Sequence, residues 1–488
     1  MDTTILQTYR EQGYRLYPVM RTYQGLNLDP AAIYERLGWQ GPHHFLLESG
    51  KMGEFSFVGG APFAVLTAKD GQAVFVQGEQ REAWSGDPLN LLREKMREFR
   101  APHLPGLPKL RGGAVGFLAY DTARYIERLP TISQDDLGTP DLYFVFVDQL
   151  CVIDHRREVV HLIAHIDLHR ADGVARAEAA LSELEHKLLN GTSQVPDFPA
   201  RSAAEDWSYS FTKAGFEQAV TAVQEYISRG DVFQVNLSMR QGRTLGAAPY
   251  EIYKHLRQIN PSPYASYLHF PELQVVSCSP ELLVNLFAGE VNARPIAGTR
   301  PRTGEEEQDR LAVEELKSNE KEIAEHIMLV DLERNDLGRV CQFGSVEVNE
   351  LMVIEAYSHV FHIVSNVRGR LHGGRDAFDV IRATFPGGTI TGAPKIRTME
   401  ILEELEPTRR GLYTGSIGWI DFDGDMELNI VIRTLQVQDG VGYVQAGAGI
   451  VIDSVPEREY HESMRKAKAL WVAIENAEQA ASEGRERL

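Results

Sequence analysis

Apolar and polar residues alternate with a period of two along short stretches of the first half of the chain, and the alternation breaks at glycines. The pattern predicts a hairpin-rich sheet from residues 44–49, 53–60, 64–66 and 73–77, with an amphipathic helix over 89–99. Residues 112–121 read as a glycine-rich strand with neither the GK[ST] nor the GxGxxG pattern of a phosphate loop. Strands over 142–154 and 158–165 and a helix over 174–189 complete this half. Residues 190–206, NGTSQVPDFPARSAAED, lack apolar periodicity and collect Gly, Pro, Ser and Thr, as a linker does. The expected division is an accessory, regulatory-type domain over 1–195, a linker-like segment over 196–206 and a second domain over 207–480.

The second half opens with a capped helix over 212–228, stopped at Gly230, and an alternating strand over 231–240. A helix over 250–259 ends at Asn260-Pro261-Ser262-Pro263, and short strands follow over 265–269, 274–277, 282–287 and 290–293. One long helix is expected over 304–334, then strands over 346–353 and 360–368 and helices over 376–384 and 395–405. Strands over 416–420, 426–437 and 441–452 precede a last helix from Pro456 to about 479. Strands and helices mix without strict βαβ alternation, which favours an α+β body with largely antiparallel sheets.

With 488 residues, 43% hydrophobic and 24% charged, the chain has the composition of a soluble globular protein of two domains or one large body. A net charge of −19 argues against nucleic-acid binding. Cys151, Cys278 and Cys341 are far apart with no CxxC, which suits a reducing cytosol. The N-terminal residues lack a signal-peptide pattern and no apolar run approaches the ~18 residues of a span, so a cytoplasmic protein without membrane segments is expected.

Candidate chemistry changes this picture at residues 318–340, SNEKEIAEHIMLVDLERNDLGRV. Glu322, Glu325 and His326 share one helix face, above an apolar stripe of Ile323, Ile327 and Val330. The last helix offers Glu459 and Glu462 on one face, with Lys466 four residues on. Each pair by itself also describes a solvated charged face. Two such pairs facing each other would suit Mg²⁺, a cation that takes oxygen ligands and could hold an anion in an acidic protein. Arg433 stands among apolar neighbours (NIVIRTL), a setting that calls for a carboxylate partner. The turn Gly387-Gly388-Thr389-Ile390-Thr391-Gly392-Ala393-Pro394 could hold an anion or only cap a helix. His362 sits on a strand between Phe361 and Ile363.

Read together, GDVFQVNLS, NPSPYASYL, SPELLV, RPIAGTRPR, EIAEHIMLVDLERNDLGRV, HVFHIVS, GGTITGAPKIRTME, YTGSIGW, NIVIRT and QAGAGIVIDSVPEREYHES resemble the chorismate-utilising enzymes in content and order. The resemblance covers nearly the whole chain and implies antiparallel sheets packed as a sandwich, helices outside, and a chorismate-binding catalytic domain over 207–480. It implies Mg²⁺ held directly by Glu325 and Glu462, with Glu322 and Glu459 supporting through water. Tyr413 and Arg433 match positions binding the enolpyruvyl carboxylate; Thr389, the amides around Gly449, and Lys466 match further substrate contacts. Glu281, in SPE, matches a general acid near the departing 4-hydroxyl, and His362 a histidine lining the ring pocket. Gln234 stands where water-using relatives carry a lysine base, which suits ammonia as nucleophile.

Within the family the chain is similar to large subunits that take ammonia from a glutamine amidotransferase. It has no amidotransferase-like cysteine motif of its own, so a separate glutaminase partner is implied. Two branches compete: aminodeoxychorismate (para-aminobenzoate) synthases and anthranilate synthases. Ala297 in PIAGT stands where many of the former have a nucleophilic lysine, and is the anthranilate-type residue. Trp419, Asn429 and Ala265 point to the aminodeoxychorismate branch, as do AVGFLAYDTARYIE and ELEPTRRGLYTGSIGW, and that branch is the expectation.

Overall fold

The structure, a computed structural model, describes residues 3–39, 41–49, 53–195, 206–357 and 360–486. Among the described residues two twelve-stranded sheets built from antiparallel pairs form the body, each with eleven strands in one path and a twelfth beside it, Gly392–Ala393 on Gln234–Thr244 in the first and Glu347–Ala356 on Val360–Arg370 in the second. In spatial order the first runs Leu16–Gln24, Val159–Asp167, Gln149–Asp154, Phe55–Gly60, His44–Glu48, Tyr264–His269, Gln274–Ser279, Thr434–Gln438, Val441–Ile450, Gln234–Thr244 and Ser208–Tyr209. The second runs Ile296–Pro301, Val360–Arg370, Glu290–Ala293, Leu282–Phe287, Met426–Asn429, Ser416–Asp421, Gly113–Leu118, Leu142–Val147, Ala64–Lys69, Gln72–Gln77 and Gln80–Ser85.

Side-chain alternation explains the layering. In His44–Glu48, Phe45 and Leu47 point between the sheets, where they meet Phe117, Tyr143 and Trp419 of the second sheet, while Leu46 points outward. Outside the first sheet, Leu46, Val58 and Cys151 pack on helices Pro30–Leu37, Gly173–Asn190, Pro249–Ile259 and Pro456–Glu486. Outside the second, Val284, Leu286 and Met426 pack with the Pro88–Glu98, Glu320–Gly338 and Ala377–Thr384 helices. Each fully buried Leu or Phe contributes about 1.5–3 kcal/mol. The result is the expected α+β sandwich with helices outside.

Both sheets take strands from either side of the linker-like segment. His44–Glu48 pairs with Tyr264–His269 in one, and Gly113–Leu118 with Ser416–Asp421 in the other. The segment itself, apart from Asp206, lies outside the described residues. All three cysteines are free and buried. Among the described residues no helix is long and apolar enough to cross a membrane.

Two elements depart from the sequence reading. The helix expected over 304–334 is two helices, Glu306–Ser318 and Glu320–Gly338. Asn319 leaves the helical conformation and its side chain accepts a hydrogen bond from the Glu322 amide at 3.1 Å, capping the second helix. The strand expected over 426–437 is also two, because Met426–Asn429 belongs to the second sheet and Thr434–Gln438 to the first. The chain crosses between sheets at 430–433, and Arg433 takes a left-handed φ of 53°. A matching crossing at Pro280 and Glu281 joins Gln274–Ser279 of the first sheet to Leu282–Phe287 of the second.

Candidate functional site

The two crossings lie side by side. The Ile430 amide donates to the Glu281 carbonyl at 3.0 Å, the Cys278 amide to the Arg433 carbonyl at 3.2 Å, and the Ser279 hydroxyl to the Ile430 carbonyl at 2.6 Å. Glu281 and Arg433 are therefore fixed by backbone on neighbouring segments that have left the sheet ladders. They open onto a cleft of about 760 Å³. An inner chamber of about 170 Å³ shares Glu281, Thr389, Arg433 and Lys466 with it.

Every site residue expected from the sequence lines this space. Gln234, Glu281, Glu322, Glu325, His362, Thr389, Arg433, Gly449, Glu459, Glu462 and Lys466 line the cleft. Tyr413 lines the inner chamber. The Glu320–Gly338 helix presents Glu322 and Glu325 to the cleft, and the Pro456–Glu486 helix presents Glu459 and Glu462. Glu325 accepts from Gln234 Nε2 at 3.1 Å, and Glu322 from Arg300 Nη1 at 2.8 Å. Glu462 pairs with Lys466 at 2.9 Å in a half-exposed contact, which contributes less than ~1 kcal/mol. Burial, with Glu462 adding to it, raises the Glu459 carboxyl, and the Ser454 hydroxyl opposes the shift.

Two glycines make room for these carboxylates. A Cβ on Gly298, itself at φ +62°, would lie 2.5 Å from Glu322 Oε2. A Cβ on Gly449 would lie 2.4 Å from Gln234 Nε2.

The residues at and around the two crossings suit an anion and an acid. Arg433 forms no ion pair with any described carboxylate, and burial lowers its pKa while Tyr413 opposes the shift. Its carboxylate partner, expected from the sequence, is thus not supplied by the described residues. Tyr413, with the Arg410 guanidinium 5.6 Å over its ring, is pushed up to about 12 by burial. Glu281 is 7% exposed, and its Oε1 has no hydrogen-bond partner. Burial raises it to about 7, partly offset by the Thr389 hydroxyl. His362 Nδ1 lies 2.9 Å from the Gly298 carbonyl and burial lowers its pKa. A carbonyl only accepts, so the neutral ring carries its proton on Nδ1 and leaves Nε2 as an acceptor.

Lining charges show what the cleft lacks. Beside the raised Glu281, the carboxylates Glu322, Glu325, Glu459 and Glu462 share the lining with Lys321, Arg433, Arg465 and Lys466. An anion entering this set gains little net attraction without an added cation. Four carboxylates on two helices supply the oxygen donors that Mg²⁺ takes, with coordination left over for waters and substrate, so the residues fit that ion. Among the described residues, the three-ligand group with mutually close donor atoms is elsewhere, at His103, Asp423 and Asp425, where Arg111 already sits on Asp423.

Several lining residues escaped the sequence reading. Asn236 donates from Nδ2 to the Thr389 carbonyl at 2.9 Å, and two-residue spacing from Gln234 on one strand was its signal. Asn319, Lys321 and Arg465 also line the cleft. His326, expected on the carboxylate face, instead turns inward and bonds Ser365 Oγ at 2.6 Å with its ring fully buried. Of the residues marking the two branches, Ala297 lines the cleft, whereas Ala265, Trp419 and Asn429 line a separate cavity of about 40 Å³.

This sequence and fold have close counterparts. The chorismate binding enzyme family matches residues 29–471, and the chain belongs to it. Aminodeoxychorismate synthase component 1 of Bacillus subtilis (strain 168) is 50% identical over 450 residues, 91% of this chain and 94% of the relative. Anthranilate synthase component 1 of Aquifex aeolicus (strain VF5) is 43% identical over 484 residues, 96% of this chain and 97% of the relative. The crystal structure of anthranilate synthase component I from Streptococcus pneumoniae TIGR4 superposes with a TM-score of 0.76 at 36% identity, covering 86% of this chain and 92% of that one. The menaquinone-specific isochorismate synthase MenF of Escherichia coli shares the fold alone, at TM-score 0.70 and 16% identity over 97% and 99% of the chains.

Proposed function

We propose that the chain is the chorismate-aminating subunit of an aminodeoxychorismate synthase. It replaces the 4-hydroxyl of chorismate with ammonia to give 4-amino-4-deoxychorismate, the precursor of para-aminobenzoate and folate. The observation that carries the reading is the pairing of the two crossings, which sets an arginine without a described carboxylate partner and a buried, raised carboxyl together in one cleft with four carboxylates. The 50% identical aminodeoxychorismate synthase component 1 supports the choice of branch.

Arg433 and Tyr413 take the enolpyruvyl carboxylate, a bidentate guanidinium being suited to that planar anion. Glu325 and Glu462, backed by Glu322 and Glu459, would hold Mg²⁺ at the ring carboxylate. When bound, that ion draws electron density toward the carboxylate as the ring loses its hydroxyl. In the structure Arg300 and Lys466 pair with Glu322 and Glu462.

Glu281 gives its proton to the 4-hydroxyl as the C4–O bond breaks, so that water leaves instead of hydroxide. Thr389 and the neutral His362 position the ring. Gln234 keeps Glu325 in place and offers no base, which ammonia does not need. Ala297 brings no amine to the ring, so C4 amination here proceeds without a nucleophile from that position.

The partner implied is a separate glutaminase subunit delivering ammonia, and the location implied is the cytoplasm. The test is incubation with chorismate, Mg²⁺ and ammonium, with and without the lyase that releases para-aminobenzoate. The reading requires para-aminobenzoate only when the lyase is present. Ala297 favours the second reading, an anthranilate synthase component, and anthranilate with pyruvate formed without the lyase would establish it instead.

A further inference from the structure

A second cavity, of about 330 Å³, is lined wholly by residues that precede the linker-like segment. It shares no described lining residue with the cleft or its inner chamber. Its walls come from the end of the Val159–Asp167 strand, the start of the Gly173–Asn190 helix, and Leu16, Phe63 and Phe99. Its charge runs against that of the whole molecule, in which 50 Lys and Arg stand against 69 Asp and Glu. Here three arginines, Arg15, Arg170 and Arg176, stand against two aspartates, Asp148 and Asp167. Burial raises the Asp148 carboxyl, with its own amide and Arg176 opposing, which weakens the negative side further.

The polar groups are graded with depth. Arg170 and Arg176 are exposed, Arg15 is half-buried with its guanidinium 4.6 Å from the centre of the Phe99 ring, and His165 is 6% exposed. Two buried polar atoms of this lining have no hydrogen-bond partner among the described residues. Arg15 Nε is 3.5 Å from an Asp167 oxygen and makes no hydrogen bond. His165 Nδ1 lies 3.1 Å from the Asp148 carbonyl, and a carbonyl only accepts, so the proton sits on Nδ1 and Nε2 is an unused acceptor. Burial lowers His165 to about 4, which keeps the ring neutral. Leaving such atoms unpaired costs free energy that a ligand with matching groups returns. At the mouth, Arg170 and Arg176 are held by Asp172 at 2.9 and 4.0 Å, in exposed pairs that water screens.

We propose that this cavity binds a small, singly charged ring carboxylate that carries an O–H or N–H donor at its far end. The carboxylate meets the arginines, whose planar guanidinium groups match it. The ring lies against Leu16, Phe63 and Ala177, and the donor reaches His165 Nε2. A volume of about 330 Å³ is at the lower end of small-molecule sites and suits a single ring. One arginine in excess suits a carboxylate better than a phosphate dianion. Nothing in this site depends on the reaction assigned to the cleft.

The test is calorimetric titration of the full chain, without Mg²⁺ or chorismate, with para-hydroxybenzoate, benzoate and inorganic phosphate. para-Hydroxybenzoate is expected to bind at one site per chain, about three- to tenfold more tightly than benzoate, which lacks the donor. Arg176→Glu reverses an exposed charge and is expected to weaken both benzoates about tenfold or more, while chorismate consumption with ammonium stays unchanged. His165→Phe is expected to bring para-hydroxybenzoate down to the affinity of benzoate. Should that variant not fold, the comparison of the two benzoates in the parent still decides the donor contact. Arg433→Lys, in the cleft, is expected to leave the binding as it is. Failure of both benzoates to bind, equal affinities for the two in the parent, or phosphate binding more tightly than benzoate overturns the inference. Binding that is lost in Arg433→Lys and kept in Arg176→Glu belongs to the cleft and overturns it as well.

Discussion

Arg433 shows how much one residue depends on where the chain changes layers. Its guanidinium is buried, finds no described carboxylate and sits on a left-handed backbone, an arrangement that costs free energy unless a ligand returns it. Replacing it with lysine keeps the charge and removes the bidentate fork. A charge-assisted hydrogen bond contributes about 1.5–3 kcal/mol, so Arg433→Lys should lower kcat/KM for chorismate by about 10- to 100-fold. Unchanged steady-state kinetics would remove Arg433 from the substrate site. Gly449 makes a second test at this scale. The methyl of Gly449→Ala meets Gln234 Nε2 at 2.4 Å and displaces the group that holds Glu325. The Mg²⁺ concentration for half-maximal activity should rise about tenfold or more, a loss of at least about 1.4 kcal/mol, and an unchanged Mg²⁺ response would show that Gln234 does not hold the ligand. The sequence made Arg433 visible as an arginine among Ile and Val. It could not show the layer change, because residues 430–433 contain no Gly or Pro to mark the break, whereas Pro280 marks the matching break before Glu281.

Among elements, the Glu320–Gly338 helix carries the most of the account. Its start is set by Asn319, whose side chain bonds the amide of Glu322, the first carboxylate of the cleft wall. Asn319→Ala should cost about 1 kcal/mol and, by loosening the first turn, also raise the Mg²⁺ requirement. A lower Tm with an unaltered Mg²⁺ titration would separate the cap from the site. Periodicity placed Glu322 and Glu325 on one face correctly, but it merged this helix with Glu306–Ser318, because the polar Asn319 interrupts a run of good helix formers by only one residue. His326 was misplaced for a different reason. Helical spacing sets which side a residue takes only to within a fraction of a turn, and the buried Ser365 hydroxyl captured it.

For the whole molecule, the sandwich buries titratable groups that shape its stability against pH. Glu281, Glu333 and Asp421 are raised by burial to about 7, 8 and 8. An acid whose folded pKa lies above its unfolded value stabilises the fold below that unfolded value, and the contribution is lost as pH rises through the folded one. Tm should therefore fall as pH rises from about 4.5 to about 8 and level off above that, and Glu333→Gln should flatten the fall. A Tm that stays level or rises there would mean these carboxyls are not held neutral. The α+β class and the antiparallel sheets were legible from alternation and turn residues. The interleaving of both halves into each sheet was not, since strand pairing across more than 200 residues leaves no local mark, as His44–Glu48 against Tyr264–His269 illustrates.

On the proposed reading this cleft aminates chorismate at C4 and keeps the enolpyruvyl group. Mass spectrometry of the product formed from chorismate, Mg²⁺ and nitrogen-labelled ammonium tests it most directly. The expected result is a labelled product in which an amino group has replaced the hydroxyl and the enolpyruvyl side chain remains, with no pyruvate released. Labelled anthranilate and an equal amount of pyruvate would contradict it.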